Sequence, residues 1–330
     1  MNMEVRQPVF VTGVGRSGTT IIHRMLCEHP NVAWLSGLCG RYPGKTQWNG
    51  WLMRAVDYPL VGACLKGMPL TGIFQPWENY SFWEYYCKGF ATSFRDLVGA
   101  DVTEKSKRVL RRALGDVLTA KRSQLVIKIT GWPRIGLLHE IFEDAKFIHI
   151  VRDGRAVSHS RINRPWWDGW QGPWTWKRGP LSAAYMQEWE RHGRSFVALA
   201  GIEWNICLDA MKEARRRLDD GSVLEIRYED FCNDPVRVMQ AIADFCNLSW
   251  TSGFEARLKS YTVRSENHKW QEELTAEQQS VLLDVTRVHL EMYGYLSEEE
   301  GTSPAKVGEA GANVGNIRAL IGAIGSDRDG

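Results

Sequence analysis

The stretch Val9–Thr20, VFVTGVGRSGTT, decides the fold. An apolar, β-prone run (Val9–Thr12) leads into glycines and then into Ile21, Ile22, Met25 and Leu26 at helical spacing. Strand, glycine loop and helix in that order make a turn whose backbone N–H groups and helix amino terminus suit an anion. From Gly13 to Gly18 the loop satisfies both G-x-G-x-x-G and G-x-x-x-x-G. A dinucleotide fold needs an acidic residue about 20 positions further on, and none lies between Glu28 and Asp57. A triphosphate loop needs a lysine directly after Gly18, where this chain has Thr19, its positive charge sitting earlier at Arg16. What survives is a cradle for a compact phosphate, built from Gly15, Arg16, Ser17, Gly18, Thr19 and Thr20, with no demand for a metal.

Outward from this loop the pattern repeats. LVIKI (125–129) and KFIHIVR (146–152) are short β-branched runs. Between them PRIGLLHEIF reads as a helix with Pro133 in its first turn, so strand, helix, strand implies a parallel crossover. SVLEIRYEDF (222–231) reads as another strand, and Asp234-Pro235 opens a helix to about Asn247. Long helical regions are expected at roughly 103–122 and 182–218. Thr275 with Gln278 gives a capping box for a last helix stopped by Gly294. The expected fold is α/β: a single domain over 1–296 with a central parallel sheet flanked by helices, Trp-rich insertions at about 37–95 and 163–182, and a loosely ordered tail at 297–330.

Composition narrows the function classes. Lysine plus arginine (41) nearly balance aspartate plus glutamate (39), so bulk charge gives no argument for nucleic acid or a membrane surface, and any anion site is local. Seven scattered cysteines without C-x-x-C spacing argue against a zinc site and a disulfide framework and are expected to be reduced, packed thiols. No apolar signal core or bilayer-length apolar run is present, which makes the cytoplasm the expected compartment.

FIHIVRDGRAVSHSRI adds a second constellation, with Arg152 at a strand end and Ser160 on the following helix. An arginine fork and a hydroxyl leaving adjacent elements can converge on one phosphate. Taken alone, Arg152 reads equally well as an ion-pair partner for Asp153 or Asp230.

Together the two segments resemble the sulfotransferases that use 3′-phosphoadenosine 5′-phosphosulfate (PAPS). In that family a P-x-S-G-T-T loop binds the 5′-phosphosulfate, and an arginine followed eight residues later by a serine binds the 3′-phosphate. Here VGRSGTT stands for the first, with Arg16 in place of the usual loop lysine, and Arg152 with Ser160 for the second. EIRYEDF resembles the family's Y-E-D strand end, which implies Tyr228 near the adenine. VRSENHKWQEELT resembles the segment closing over the 3′-phosphate, with Arg264 as its contact, and VIKITGWP the strand carrying a lysine, Lys128, toward the sulfuryl group. The resemblance covers about residues 7–295 and implies a P-loop NTPase-like architecture, PAPS as co-substrate with the nucleotide product PAP, and no metal. It also implies a small-molecule, lipid or saccharide acceptor carrying a hydroxyl or amine, with Lys128 and Arg16 stabilising the departing phosphate.

The proton-accepting base is not identified by the resemblance. Many cytosolic relatives have a histidine two residues after the strand lysine, where this chain has Thr130; others use a glutamate soon after the first helix, where AWLSGLCGRYP has no carboxylate. Glu78, Glu84, His23 and His159 are the candidates. RPWWDGWQGPWTW (164–176) is too polar for core and reads either as a lid over the acceptor or as a loop packed on its own tryptophans. A P-loop kinase of a small metabolite and a nucleotide-binding module without catalysis are the rival functions.

Overall fold

A computed structural model describes residues 3–58, 60–62, 71–174, 176 and 178–296; the expected tail at 297–330 lies outside them. The described chain is a single α/β domain around a five-stranded, wholly parallel sheet in the order β2-β3-β1-β4-β5. The strands are β1 (Val9–Gly13), β2 (Val32–Ala33), β3 (Gln124–Thr130), β4 (Lys146–Val151) and β5 (Val223–Arg227). Every residue of β1 is buried, because it is the central strand, bonded to β3 on one side and β4 on the other and covered by helices on both faces. That double cover is why the strands read as near-continuous apolar runs.

Chain direction fixes where a ligand can sit. From β1 the chain crosses to β2 on one side of the sheet, while from β4 it crosses to β5 on the other. The crevice beyond the carboxyl ends of β1 and β4 is therefore the topological switch point, the usual ligand position in open α/β sheets. The glycine loop leaves β1 there and Arg152 leaves β4.

Several expected boundaries move, each for a visible reason. The region 182–218 is two helices, Ala183–Arg191 and Phe196–Arg215. Gly193 and Arg194 both take positive φ (62° and 56°), and Ser195 caps the second helix by accepting from the Ala198 N–H. The helix expected over 103–122 ends at Gly115. β5 stops at Arg227, and Tyr228–Asn233 is a helix whose first turn carries Glu229 and Asp230, the charges that suit a helix start. Pro133 precedes its helix, which begins at Ile135 after Arg134 in a left-handed conformation. The capping box at Thr275 and Gln278 forms as read, and Gly294 follows that helix with a positive φ of 65°.

The long helix Phe196–Arg215 is apolar on most of its surface because it is enclosed, packing against Gly154–Ile162 and Ala276–Met292. A methyl group on Gly154 would fall 2.6 Å from the Trp204 ring, so the two helices approach as closely as only glycine permits. The six described cysteines are all free thiols, five of them buried. Among the described residues no helix is long and apolar enough to cross a membrane.

Candidate active site

The loop after β1 carries two left-handed residues, Arg16 (φ 81°) and Gly18 (φ 86°). For arginine that conformation is strained, and here it is locked by contacts on both sides. Arg16 donates from Nε to Ser160 Oγ at 3.0 Å, and its carbonyl accepts from Arg152 Nη1 at 2.8 Å. Gly18 precedes the helix Thr19–Cys27 without any side-chain cap, leaving the first-turn N–H groups to whatever anion enters. A Cβ on Gly18 would lie 2.2 Å from the Tyr228 ring, so that ring rests directly on the loop. Ser17 is fully buried and its Oγ has no hydrogen-bond partner among the described residues.

One hydrogen-bond chain ties the loop to three distant segments. Glu229, just past β5, accepts from Asn267 Nδ2 at 2.5 Å; Asn267 Oδ1 accepts from Arg152 Nε at 2.7 Å; Arg152 and Arg16 then join as above and end on Ser160. Arg152 stacks over Tyr228, 4.8 Å from the ring centre, and the Tyr228 hydroxyl donates to the Arg264 carbonyl at 3.3 Å. Burial pushes that phenol up to about 12. The ion pair from Arg152 to Asp153 or Asp230 does not form: Asp153 is held by its own neighbour Arg155 at 2.8 Å, and Arg152 bonds an amide and a carbonyl instead.

Arg16, Arg152, Ser160, Tyr228 and Arg264 wall a basic cavity of about 530 Å³ that also receives Arg24, Arg164 and Lys269. Its two lining carboxylates are engaged, Glu266 with Lys269 at 2.9 Å and Glu273 with His159 at 3.0 Å. The Arg16 guanidinium is pushed below its ordinary value by burial first and then by Arg164, Arg152 and Arg161. A crowd of like charges round a concave surface attracts a multiply charged anion.

On the other side of Arg16, Thr19 and Thr20 lies a second cavity, of about 450 Å³, walled by Tyr80, Phe90, Trp132, Trp166, Trp167 and Trp176. Lys128, delivered by β3, reaches its floor and donates to Thr20 Oγ1 at 2.8 Å, with Glu78 Oε1 at 3.4 Å. Burial lowers the Lys128 ammonium, opposed by Glu78. Deeper in, buried Glu203 takes Arg161, Arg178 (2.9 Å) and the Trp167 Nε1–H (3.0 Å). Burial alone raises its carboxyl, but the two guanidiniums overturn that and hold it below the ordinary value.

The nucleotide-site residues read from the sequence, buried Ser17 apart, therefore lie on one of two cavities that share the glycine loop, while the base candidates His23 and Glu84 line neither. Gly15, Arg16, Thr19 and Thr20 stand with Lys128 on the aromatic cavity, and Arg16, Gly18, Thr19 and Thr20 with Arg152, Ser160, Tyr228 and Arg264 on the basic one. The aromatic insertion divides. Trp167 and Trp176 are 4% exposed and belong to the core, contrary to the expectation that the stretch is too polar for it, whereas Trp166, Trp170 and Trp174 are more than half exposed. Of those three only Trp166 lines the cavity. Sequence reasoning missed Arg161, Glu203, Arg178, Asn267 and Tyr80. The signal for Glu203 was present, a lone carboxylate in the apolar run FVALAGIEWNICL.

Comparison with known proteins bears out the family resemblance read from the sequence. The family described as "Sulfotransferase family" matches residues 8–252. The omega-hydroxy-beta-dihydromenaquinone-9 sulfotransferase Stf3 of Mycobacterium bovis is 25% identical over 314 residues, spanning 87% of this chain and 75% of that protein. The protein-tyrosine sulfotransferase of Drosophila melanogaster is 24% identical over 246 residues, 73% of this chain and 38% of that one. Among solved structures, sulfotransferase STF9 from Mycobacterium avium superposes with a TM-score of 0.53 at 18% identity, covering 88% of this chain and 77% of that one, a likeness of fold.

Proposed function

This chain belongs to the sulfotransferase family, and on that footing we propose that it moves the sulfuryl group of PAPS to a hydroxyl or amine of a small-molecule, lipid or saccharide acceptor. The observation that carries the reading is the hydrogen-bond chain Glu229–Asn267–Arg152–Arg16–Ser160. It joins the ends of β4 and β5, the segment before the last helices and the glycine loop around a single cavity.

PAPS has an anionic group at each end of its ribose, and the basic cavity offers a complementary pair of grips. Arg152 and Ser160 suit the 3′-phosphate, the Ser17–Thr20 amides and Arg16 the 5′-phosphosulfate, and Tyr228 the adenine, with Arg264 closing beside it. The unpartnered Ser17 Oγ and the uncapped helix start support a phosphate at the loop. The sulfur then faces the aromatic cavity across Thr20 and Lys128.

Transfer begins with attack of the acceptor oxygen or nitrogen on sulfur, in line with the bond from sulfur to the 5′-phosphate oxygen. That bond breaks and its electron pair stays on the phosphate. Arg16, Lys128 and the loop amides stabilise the growing charge, and removing one such donor costs about two to three powers of ten in turnover. Charge stabilisation of this kind makes no call on a metal ion. The aromatic walls favour an acceptor with an apolar or ring-shaped body. The relative named for omega-hydroxy-beta-dihydromenaquinone-9 supports an alcohol carried on a lipid.

Calorimetry tests the reading: PAP binds without Mg²⁺, and a screen of hydroxyl and amine compounds with PAPS labelled in sulfur yields a labelled product. Binding of ATP·Mg²⁺ with no response to PAP would return a P-loop kinase. PAP binding with no product from any acceptor pool would leave a non-catalytic module.

A further inference from the structure

We propose that Glu78 is the general base that takes the proton from the acceptor, an inference that rests on the sulfuryl-transfer reading. Among the described residues three carboxylates line the aromatic cavity: Glu78, Asp168 and Glu203. Glu203 is neutralised by Arg161 and Arg178 and occupied by the Trp167 N–H. Asp168 lies out on the tryptophan loop, and neither residue contacts Lys128. Glu78 alone stands beside the ammonium that meets Thr20, with Nζ 3.4 Å from Glu78 Oε1 and 2.8 Å from Thr20 Oγ1.

The Glu78–Lys128 contact at 3.4 Å is an ion pair, and Glu78 Oε1 is a buried acceptor with no hydrogen-bond partner among the described residues. Its backbone is held on both sides. Trp77 N–H donates to the Leu35 carbonyl at 2.9 Å, and Asn79, in a left-handed conformation, donates from Nδ2 to the Trp77 carbonyl at 3.0 Å.

The other candidates are committed elsewhere. Glu84 accepts from the Gly89 and Ala91 N–H groups, both at 2.8 Å, and so ties a turn. His159 lines the basic cavity and pairs with Glu273. His23 is buried, lines neither cavity and is pushed down to about 3 by burial. The Thr130 hydroxyl is engaged by Tyr80.

In the step, the acceptor O–H proton passes to Glu78 Oε1 as the oxygen's lone pair forms the bond to sulfur. The bond from sulfur to the 5′-phosphate oxygen breaks onto that oxygen, and solvent later takes the proton from Glu78. Lys128, between carboxylate and loop, is positioned to favour the anionic leaving group.

The test compares wild type with Glu78→Gln and Glu78→Asp, using labelled PAPS with 4-methoxyphenol, with the more acidic 4-nitrophenol, and with water alone as acceptor. General-base loss is worth about 10²- to 10⁴-fold. The expected result is a drop of that size for Glu78→Gln with 4-methoxyphenol and with water, a much smaller drop with 4-nitrophenol, which gives up its proton unaided, partial recovery in Glu78→Asp, and unchanged PAP affinity. Turnover within about threefold of wild type in Glu78→Gln would overturn the assignment. So would an equal loss for both phenols, which would mean that Glu78 only positions Lys128. A wild-type protein that neither binds PAP nor consumes PAPS would bring down the sulfuryl-transfer reading itself, a failure distinct from these.

Discussion

Removing the Arg152 guanidinium should abolish the distinction between nucleotides with and without a 3′-phosphate. Its Nε and one Nη1 hydrogen are spent on Asn267 and the Arg16 carbonyl, leaving three of the five N–H groups of an arginine for a ligand. A charge-assisted hydrogen bond is worth about 1.5–3 kcal/mol, and about 1.4 kcal/mol is tenfold in affinity. Arg152→Ala should therefore weaken PAP about 10- to 150-fold. Adenosine 5′-monophosphate lacks the 3′-phosphate and should lose less than about threefold, through loosening of the loop at Arg16. Arg152→Lys should fall between, since it keeps the charge and loses the fork. Calorimetric titration of both nucleotides into both variants reads the ratio, with a melting curve to confirm folding. If Arg152→Ala weakens both nucleotides by the same factor, the residue only supports the loop and its assignment to the 3′-phosphate is wrong. An unchanged PAP affinity would refute it outright.

Three further outcomes follow from the same geometry. Gly18→Ala places a methyl group 2.2 Å from the Tyr228 ring in a backbone conformation with φ 86°; the left-handed strain alone costs about 1–2 kcal/mol, and the variant should lose PAP binding and melt lower, whereas a calorimetric trace like that of wild type would contradict the packing. Glu203→Gln leaves Arg161 and Arg178 buried without their counter-charge, which should cost about 3–5 kcal/mol in urea unfolding. Because the Glu203 pKa is depressed on folding, its contribution is present above the ordinary carboxylate pKa and lost as pH falls through the depressed value, so the deficit should shrink in acid; a deficit under about 1 kcal/mol at neutral pH would count against the triad. Trp166→Ala should raise the acceptor KM about 2- to 10-fold through lost stacking, while Trp170→Ala, whose ring does not line the cavity, should leave it unchanged; equal KM values for the two variants would remove Trp166 from the acceptor site.

The fold was legible because its deciding signals are local. The all-buried strand Val9–Gly13, the glycines and the apolar spacing after Thr19 specify a phosphate loop on a parallel sheet without reference to the rest of the chain. Arg152 and Ser160 were legible in the same way, lying eight residues apart across one strand-to-helix turn. Partners that meet only in three dimensions were not. Asn267 reaches Arg152 from 115 residues away, and Glu203 meets Arg161 across 42, so no spacing rule connects them. The tryptophan insertion misled because composition averages over faces: Trp167 and Trp176 are core while Trp170 and Trp174 are solvent-exposed. The break at Gly193 was visible as the string RHGRS, yet apolar periodicity on both sides concealed it.

The structure of the protein crystallised with PAP tests the central claim most directly. The account predicts the 3′-phosphate within hydrogen-bonding distance of Arg152 and Ser160 and the 5′-phosphate on the amides of Ser17 to Thr20, with the end that would carry sulfur turned toward Lys128. PAP lying anywhere else, or the two phosphates gripped by other residues, would contradict it.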